Sequence, residues 1–330
     1  MKKSLLLALS LVCSSGLYAM TWTATAAETP ADSGAKATPA KSFTVTDARD
    51  RVVTITDASR IASIGGAVTE ILYAMGLGDR IIAVDQTSTF PMDAKSKPQV
   101  GYTRTLSPEG VLSVGPSLIL ATDGSGPRTT IDVLEQASIP VVMIPEGHDA
   151  EGVLRKIELI AAAVGEPEKG KALADAVRAD FETLSRALEP VKDRPRAVFV
   201  MSASGGAAVV GGSGTSADAM FQLAKATNAM ADIKGYKPAQ DEAAMISEPE
   251  AVVVMRDGGQ KLDADTIFAL PTFLGTPAAR DRKLLTYPGS YLLGFGPRTP
   301  FAVRDLAVAL HPGLEIPELP ARPWHTEPVQ

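Results

Sequence analysis

Sulfur chemistry has almost no place in this sequence. Its one cysteine, Cys13, lies in the first apolar stretch. A chain processed beyond that stretch has no disulfide and no thiolate metal site. Histidine is nearly as scarce: His148, His311 and His325 are the only three, and no two stand at HxH or HxxxH spacing. That disfavours a histidine-built zinc site and a serine triad with a well-placed base. No apolar run beyond the N-terminus approaches a membrane span. Basic charge is short as well. The net charge is −6 and no Lys/Arg stripe runs through the chain, which argues against nucleic acid as a partner.

What is present begins with Lys2 and Lys3, an apolar stretch over 5–12, and Ala24-Thr25-Ala26. A positive n-region, an h-region and an A-x-A site predict a cleavable signal peptide over 1–26, hence export to the periplasm. Ser10-Leu11-Val12 before Cys13 lacks the small residue that a lipidation site wants. Cleavage after Ala26 removes two lysines and takes the charge to −6 − 2 = −8. Residues 27–42, rich in Ala, Thr, Pro and Lys, read as a flexible leader. The remainder is long enough for two domains, each with its own core.

Residues 43–56 alternate around Asp47-Ala48-Arg49-Asp50 and predict a β-hairpin. Short β-rich runs at 61–64, 81–84, 118–121 and 141–144 alternate with helical patterns, the signature of βα units on a parallel sheet. From 149 to 188 the pattern is helical, broken at Gly165-Glu166-Pro167; its second part, 169–188, is about 30 Å long. Strands resume at 196–201, 207–210, 251–255 and 283–287, a last helix covers 300–310, and the Pro-rich tail is irregular.

The layout around Glu109 and Pro116 returns 133 residues later at Glu242 and Pro249, each followed by an apolar strand. This predicts an α/β protein of two Rossmann-like lobes with largely parallel central sheets, joined by one long inter-lobe helix, with a ligand cleft between them. The divisions fall at 43–148, 149–189 and 190–330. A rigid helical tie permits only modest closure.

Enzyme signals are weak. Gly211-Gly212-Ser213-Gly214-Thr215 misses the nucleophile elbow at its last position and reads as a turn before a capped helix. Ser213 leaves a secreted hydrolase as a remote alternative. Tyr102 and Arg104 carry more chemistry. In an extended loop, residues i and i+2 face one way, and a guanidinium beside a phenol favours phenolate, a hard oxygen donor suited to ferric haem iron. A half-buried packing tyrosine is the plainer alternative. Glu109 and Glu242 either complement helix dipoles or form paired acidic knobs for a two-fold partner.

Val100-Gly-Tyr-Thr-Arg-Thr-Leu-Ser-Pro-Glu-Gly110, Gly212-Ser-Gly-Thr-Ser-Ala-Asp-Ala-Met220, Gly235-Tyr-Lys-Pro238 and Tyr291-Leu-Leu-Gly-Phe-Gly-Pro-Arg-Thr-Pro300 resemble periplasmic haem-binding proteins of bacterial ABC importers, within the helical-backbone class of substrate-binding proteins. The resemblance implies a non-enzymatic, monomeric carrier that takes ferric haem b as transported ligand and hands it to an inner-membrane permease dimer with its ATPase. It implies Tyr102 as axial ligand, Arg104 as its support, and Glu109 and Glu242 as docking points for permease arginines. Lys237 becomes a candidate propionate partner, and Tyr291 and Arg298 belong to the C-terminal motif. Some relatives carry a facing histidine in the second lobe. The corresponding stretch here, 199–206, has none, which favours tyrosine as the one protein ligand and a single haem, with the two stacked haems of some relatives as the alternative. The same fold carrying a ferric siderophore or cobalamin is the first alternative.

Overall fold

The structure, a computed structural model, describes residues 42–204, 207–239, 247–256, 259 and 261–325. Apolar runs too short for helices form the first sheet: β3 (Ile61–Ile64), β4 (Ile81–Val84), β5 (Leu118–Thr122) and β6 (Val141–Ile144), in the order β4-β3-β5-β6, all parallel. Strands β3 and β6 are buried at every position, as a strand covered on both faces must be. The hairpin β1 (Phe43–Thr46) and β2 (Val52–Ile55) precedes this sheet. Its turn is organised by the Asp47 carboxylate, which accepts from the backbone N–H groups of Arg49 and Arg51. Helices α1 (Gly66–Ala74), α2 (Met92–Lys95), α3 (Pro108–Leu112) and α4 (Arg128–Gln136) lie between the strands.

Two antiparallel helices follow, α5 (Ala150–Ala163) and α6 (Pro167–Leu188). Asp149 caps α5 by accepting from Gly152 N–H. Gly165, at φ +72°, ends it, and Pro167 opens α6. At 22 residues, α6 is roughly 33 Å long.

The second sheet contains β7 (Arg196–Ser204), β8 (Ala207–Gly211), β9 (Thr227–Asn228), β10 (Tyr236–Pro238), β11 (Ala251–Met255) and β12 (Leu284–Tyr287). Its order is β10-β8-β7-β11-β12, with β9 beside β7. Strands β7, β11 and β12 are parallel, whereas β8 pairs antiparallel with both β7 and β10, so this sheet is mixed. It carries α7 (Ser216–Leu223), α8 (Ala264–Phe268), α9 (Pro277–Arg280), α10 (Gly289–Leu293) and α11 (Thr299–Leu310). The tail is fastened rather than loose: Arg322 pairs with Asp180 of α6, which is 1% exposed.

One core lies in the first lobe around Ile119, Ile131 and Met143, and another in the second around Val200, Val252 and Phe273. A third runs through both, joining Ile71 and Leu72 of α1, Ile157 and Val177 of the helical pair, and Phe199 and Leu306 of the second lobe. Burial is therefore continuous across the waist.

Candidate functional site

Parallel strands leave their carboxyl ends on one edge, and both sheets turn that edge to the same space. Gly65 and Gly66 follow β3, Gln86 and Thr87 follow β4, Asp123 follows β5, and Glu146 and His148 follow β6. Met201 of β7, Met255 of β11, and Gly289 and Ser290 after β12 face them. The cleft between holds about 580 Å³, ample for a small-molecule ligand. Switch points at strand carboxyl ends are where open α/β sheets bind ligands. Gly65 is required at its place: φ is +116°, and a Cβ there would stand 2.0 Å from the Thr122 hydroxyl.

Tyr102 lines this cleft and is 44% exposed. Its loop is pinned on both sides. Gln86 N–H donates to Gly101 O at 2.9 Å, Thr105 N–H to Tyr102 O at 2.8 Å, and Thr103 and Ser125 share a hydroxyl bond at 2.9 Å. Gly101 takes φ +107°, a conformation that favours glycine. A phenol is thus held out from a fixed backbone.

Arg104 lines the cleft too, but its described contacts go elsewhere than the phenol. It donates to Gly124 O and lies 3.6 Å from Glu146. Glu146 in turn stands 4.0 Å from His148, whose ring packs 4.9 Å from that of Phe295. Burial lowers the His148 pKa, outweighing the opposing pull of Glu146, so the imidazole is neutral at pH 7. Lys156 of α5 is deeper, 3% exposed, and donates to Phe295 O at 3.1 Å. Burial brings its pKa down to about 8. Tyr236, bonded to Ser216 at 3.1 Å, faces in from β10.

The other sequence candidates fall differently. Lys237 is exposed and does not line the cleft, because strand alternation turns Tyr236 inward and its neighbour outward. Tyr291 is 2% exposed and donates to Asp305 at 2.7 Å; burial beside that carboxylate raises its pKa. Arg298 is 5% exposed and forms a two-bond ion pair with Glu70 of α1, its guanidinium stacked 3.5 Å from the Phe90 ring centroid. Lys237, Tyr291 and Arg298 are thus not among the residues that line the cleft. Glu109 is exposed in the first turn of α3, which Ser107 caps. Glu242 lies outside the described residues. Ser213 donates to Ile233 O, and its loop leads into α7, capped by Thr215, as the plainer reading expects.

Sequence reasoning missed the acceptors and cations at the strand ends. His148 was discounted for want of a histidine partner, yet it follows β6 at a strand carboxyl end, where such folds bind. An imidazole thus reaches the cleft from the first lobe, and not from the second-lobe stretch where a facing histidine was looked for. Lys156 had a periodic signal: it stands among Val153, Ile157 and Ile160 on the buried stripe of α5.

The periplasmic binding protein family matches residues 61–291. An uncharacterized ABC transporter substrate-binding lipoprotein of Bacillus subtilis (strain 168), YvrC, is 28% identical over 273 residues, 82% of this chain and 85% of that protein. A vitamin B12-binding protein of Vibrio campbellii (strain ATCC BAA-1116) is 34% identical over 127 residues, 38% of this chain and 46% of that one. Among solved structures, the periplasmic heme-binding protein RhuT from Roseiflexus sp. RS-1, in apo form, superposes with a TM-score of 0.73 at 31% identity, covering 77% of this chain and 98% of that one. The periplasmic heme-binding protein BhuT in complex with two hemes gives 0.73 at 37% identity, covering 76% and 97%.

Proposed function

Since the chain belongs to the periplasmic binding protein family, we propose that it captures haem outside the cytoplasmic membrane and delivers it to an ABC transporter. The observation that carries this reading is the exposed phenol of Tyr102, set on a pinned loop inside a two-walled cleft. Its likeness to heme-binding proteins along nearly their full length supports the choice of ligand. The ligand is ferric haem b. Tyr102 supplies its phenolate oxygen to the iron, and Arg104 holds the loop by its bond to Gly124 O. Met201 and Met255 give the facing wall a polarizable apolar surface. No bond is made or broken in the cargo, so the protein is a carrier and not an enzyme.

The rest of the assignment follows from that role. Residues 1–26 are a cleaved signal peptide, 43–148 and 190–330 the two lobes, and 149–189 the helical backbone of a monomer. Glu109, exposed on its capped helix, and Glu242, at the matching repeat position, dock on arginines of a permease dimer served by an ATPase.

The test is a visible-absorption titration of the processed protein with ferric haem, beside Tyr102→Ala and His148→Ala. A saturable high-spin ferric spectrum with a phenolate charge-transfer band is expected, lost in Tyr102→Ala and kept in His148→Ala. Cobalamin binding in place of haem would overturn the reading. In reconstituted uptake, Glu109→Ala with Glu242→Ala should lower transport and leave the titration unchanged.

A further inference from the structure

One buried charge in the cleft has no task in the account above. Lys156 lines the cleft at 3% exposure, on the apolar stripe of α5. An ammonium has three donors, and the hydrogen bond described for this one goes to the neutral carbonyl of Phe295 at 3.1 Å. Among the described residues no carboxylate lies within ion-pair reach of it. Glu146 and Asp149 act on it only from farther off, and Glu146 is already shared between Arg104 at 3.6 Å and His148 at 4.0 Å. The Phe295 ring, 5.9 Å from Nζ, completes its surroundings. An aliphatic side chain would fill the same stripe without a charge taken out of water, so a cation kept there needs a partner.

Exposure also gives the cleft a direction. Tyr102, at 44%, marks the outer part, and Lys156, at 3%, the inner end.

We propose that the inner end of the cleft is a carboxylate site anchored by Lys156, which takes one propionate of the haem. The porphyrin then enters with a propionate edge first, leaving its iron to Tyr102. This inference rests on the haem reading of the cleft. The competing explanation is structural: Lys156 ties the first lobe to the second through the Phe295 carbonyl and needs no ligand.

Ferric haem and its dimethyl ester, in which both propionates are neutral, separate the two. Each is titrated in the same detergent into wild type, Lys156→Met, Lys156→Gln and, as an off-cleft control, Lys237→Met. Wild type and Lys237→Met should prefer haem over the ester by on the order of tenfold or more, as expected when one member of a desolvated charge pair is removed. Lys156→Met and Lys156→Gln should lose that preference, although glutamine can still donate to the Phe295 carbonyl. A preference that survives in both Lys156 variants overturns the carboxylate site. So does a glutamine variant that restores wild-type binding of both ligands, since the carbonyl bond then suffices. If neither ligand gives a saturable change in wild type, the haem reading itself fails and the propionate assignment falls with it.

Discussion

Lys156 is expected to cost the free protein stability. Its pKa is about 8 in the folded chain against an ordinary 10.5. Between those values the unfolded chain binds the extra proton, so stability rises with pH across that window. Below about pH 8 the folded state carries the full cost of the buried ammonium. Lys156→Met should therefore raise the unfolding free energy at pH 7 by roughly 1–3 kcal/mol, the gain shrinking toward pH 10.5. Urea unfolding of both proteins at pH 7 and pH 10 checks this; an equal or lower stability of the variant at pH 7 would oppose it. Tyr102 could be singled out in the sequence because its loop, its glycine and its arginine are neighbours in the chain. Arg298 could be placed in its motif but not with its partner, because Glu70 is 228 residues away. No local pattern announces a pair that only folding assembles.

Among elements, the βα alternation and the helical pair were readable because periods of 2 and 3.6 are written locally. The direction of β8 was not, since an apolar run buried in a parallel or an antiparallel pairing looks the same. Nor was β10, whose three residues turn Tyr236 to the cleft and Lys237 to solvent. The close crossing of α5 and α6 was equally hidden. Gly170 packs against Ala161 so tightly that an added Cβ would stand 2.1 Å from that methyl group. Alanine is the better helix former by about 1 kcal/mol, yet here the overlap should prevail. Gly170→Ala is expected to destabilise by a net of roughly 1–3 kcal/mol through overpacking at the crossing. Thermal unfolding decides between the two effects, and a variant that melts higher than wild type would mean that the helices separate at little cost.

For the molecule as a whole, the question is how far the lobes can part. The helical tie predicted modest movement, and two features strengthen that expectation. One apolar core runs through both lobes and the helical pair, so opening would expose surface that is now shared. In addition, Glu70 of α1 and Arg298 at the head of α11 form a buried, doubly bonded ion pair, beside a Thr89–Ser290 hydroxyl bond of 3.0 Å that also joins the lobes. Burial raises the Glu70 pKa against the opposing pull of Arg298, the mark of a carboxylate held in a dry place. Removing one partner strands the other. Glu70→Gln should cost about 3–5 kcal/mol, whereas replacing both together, Glu70→Leu with Arg298→Met, should recover much of that loss. The double variant separates stability from geometry: it keeps an apolar contact but loses the directional bonds. In wild type, solution X-ray scattering of the free and haem-loaded protein should nearly superpose. In the double variant the free protein should scatter as a broader particle and contract on loading. A wild type that contracts markedly when loaded would mean that the latch forms only around the ligand, and that the free cleft opens wide.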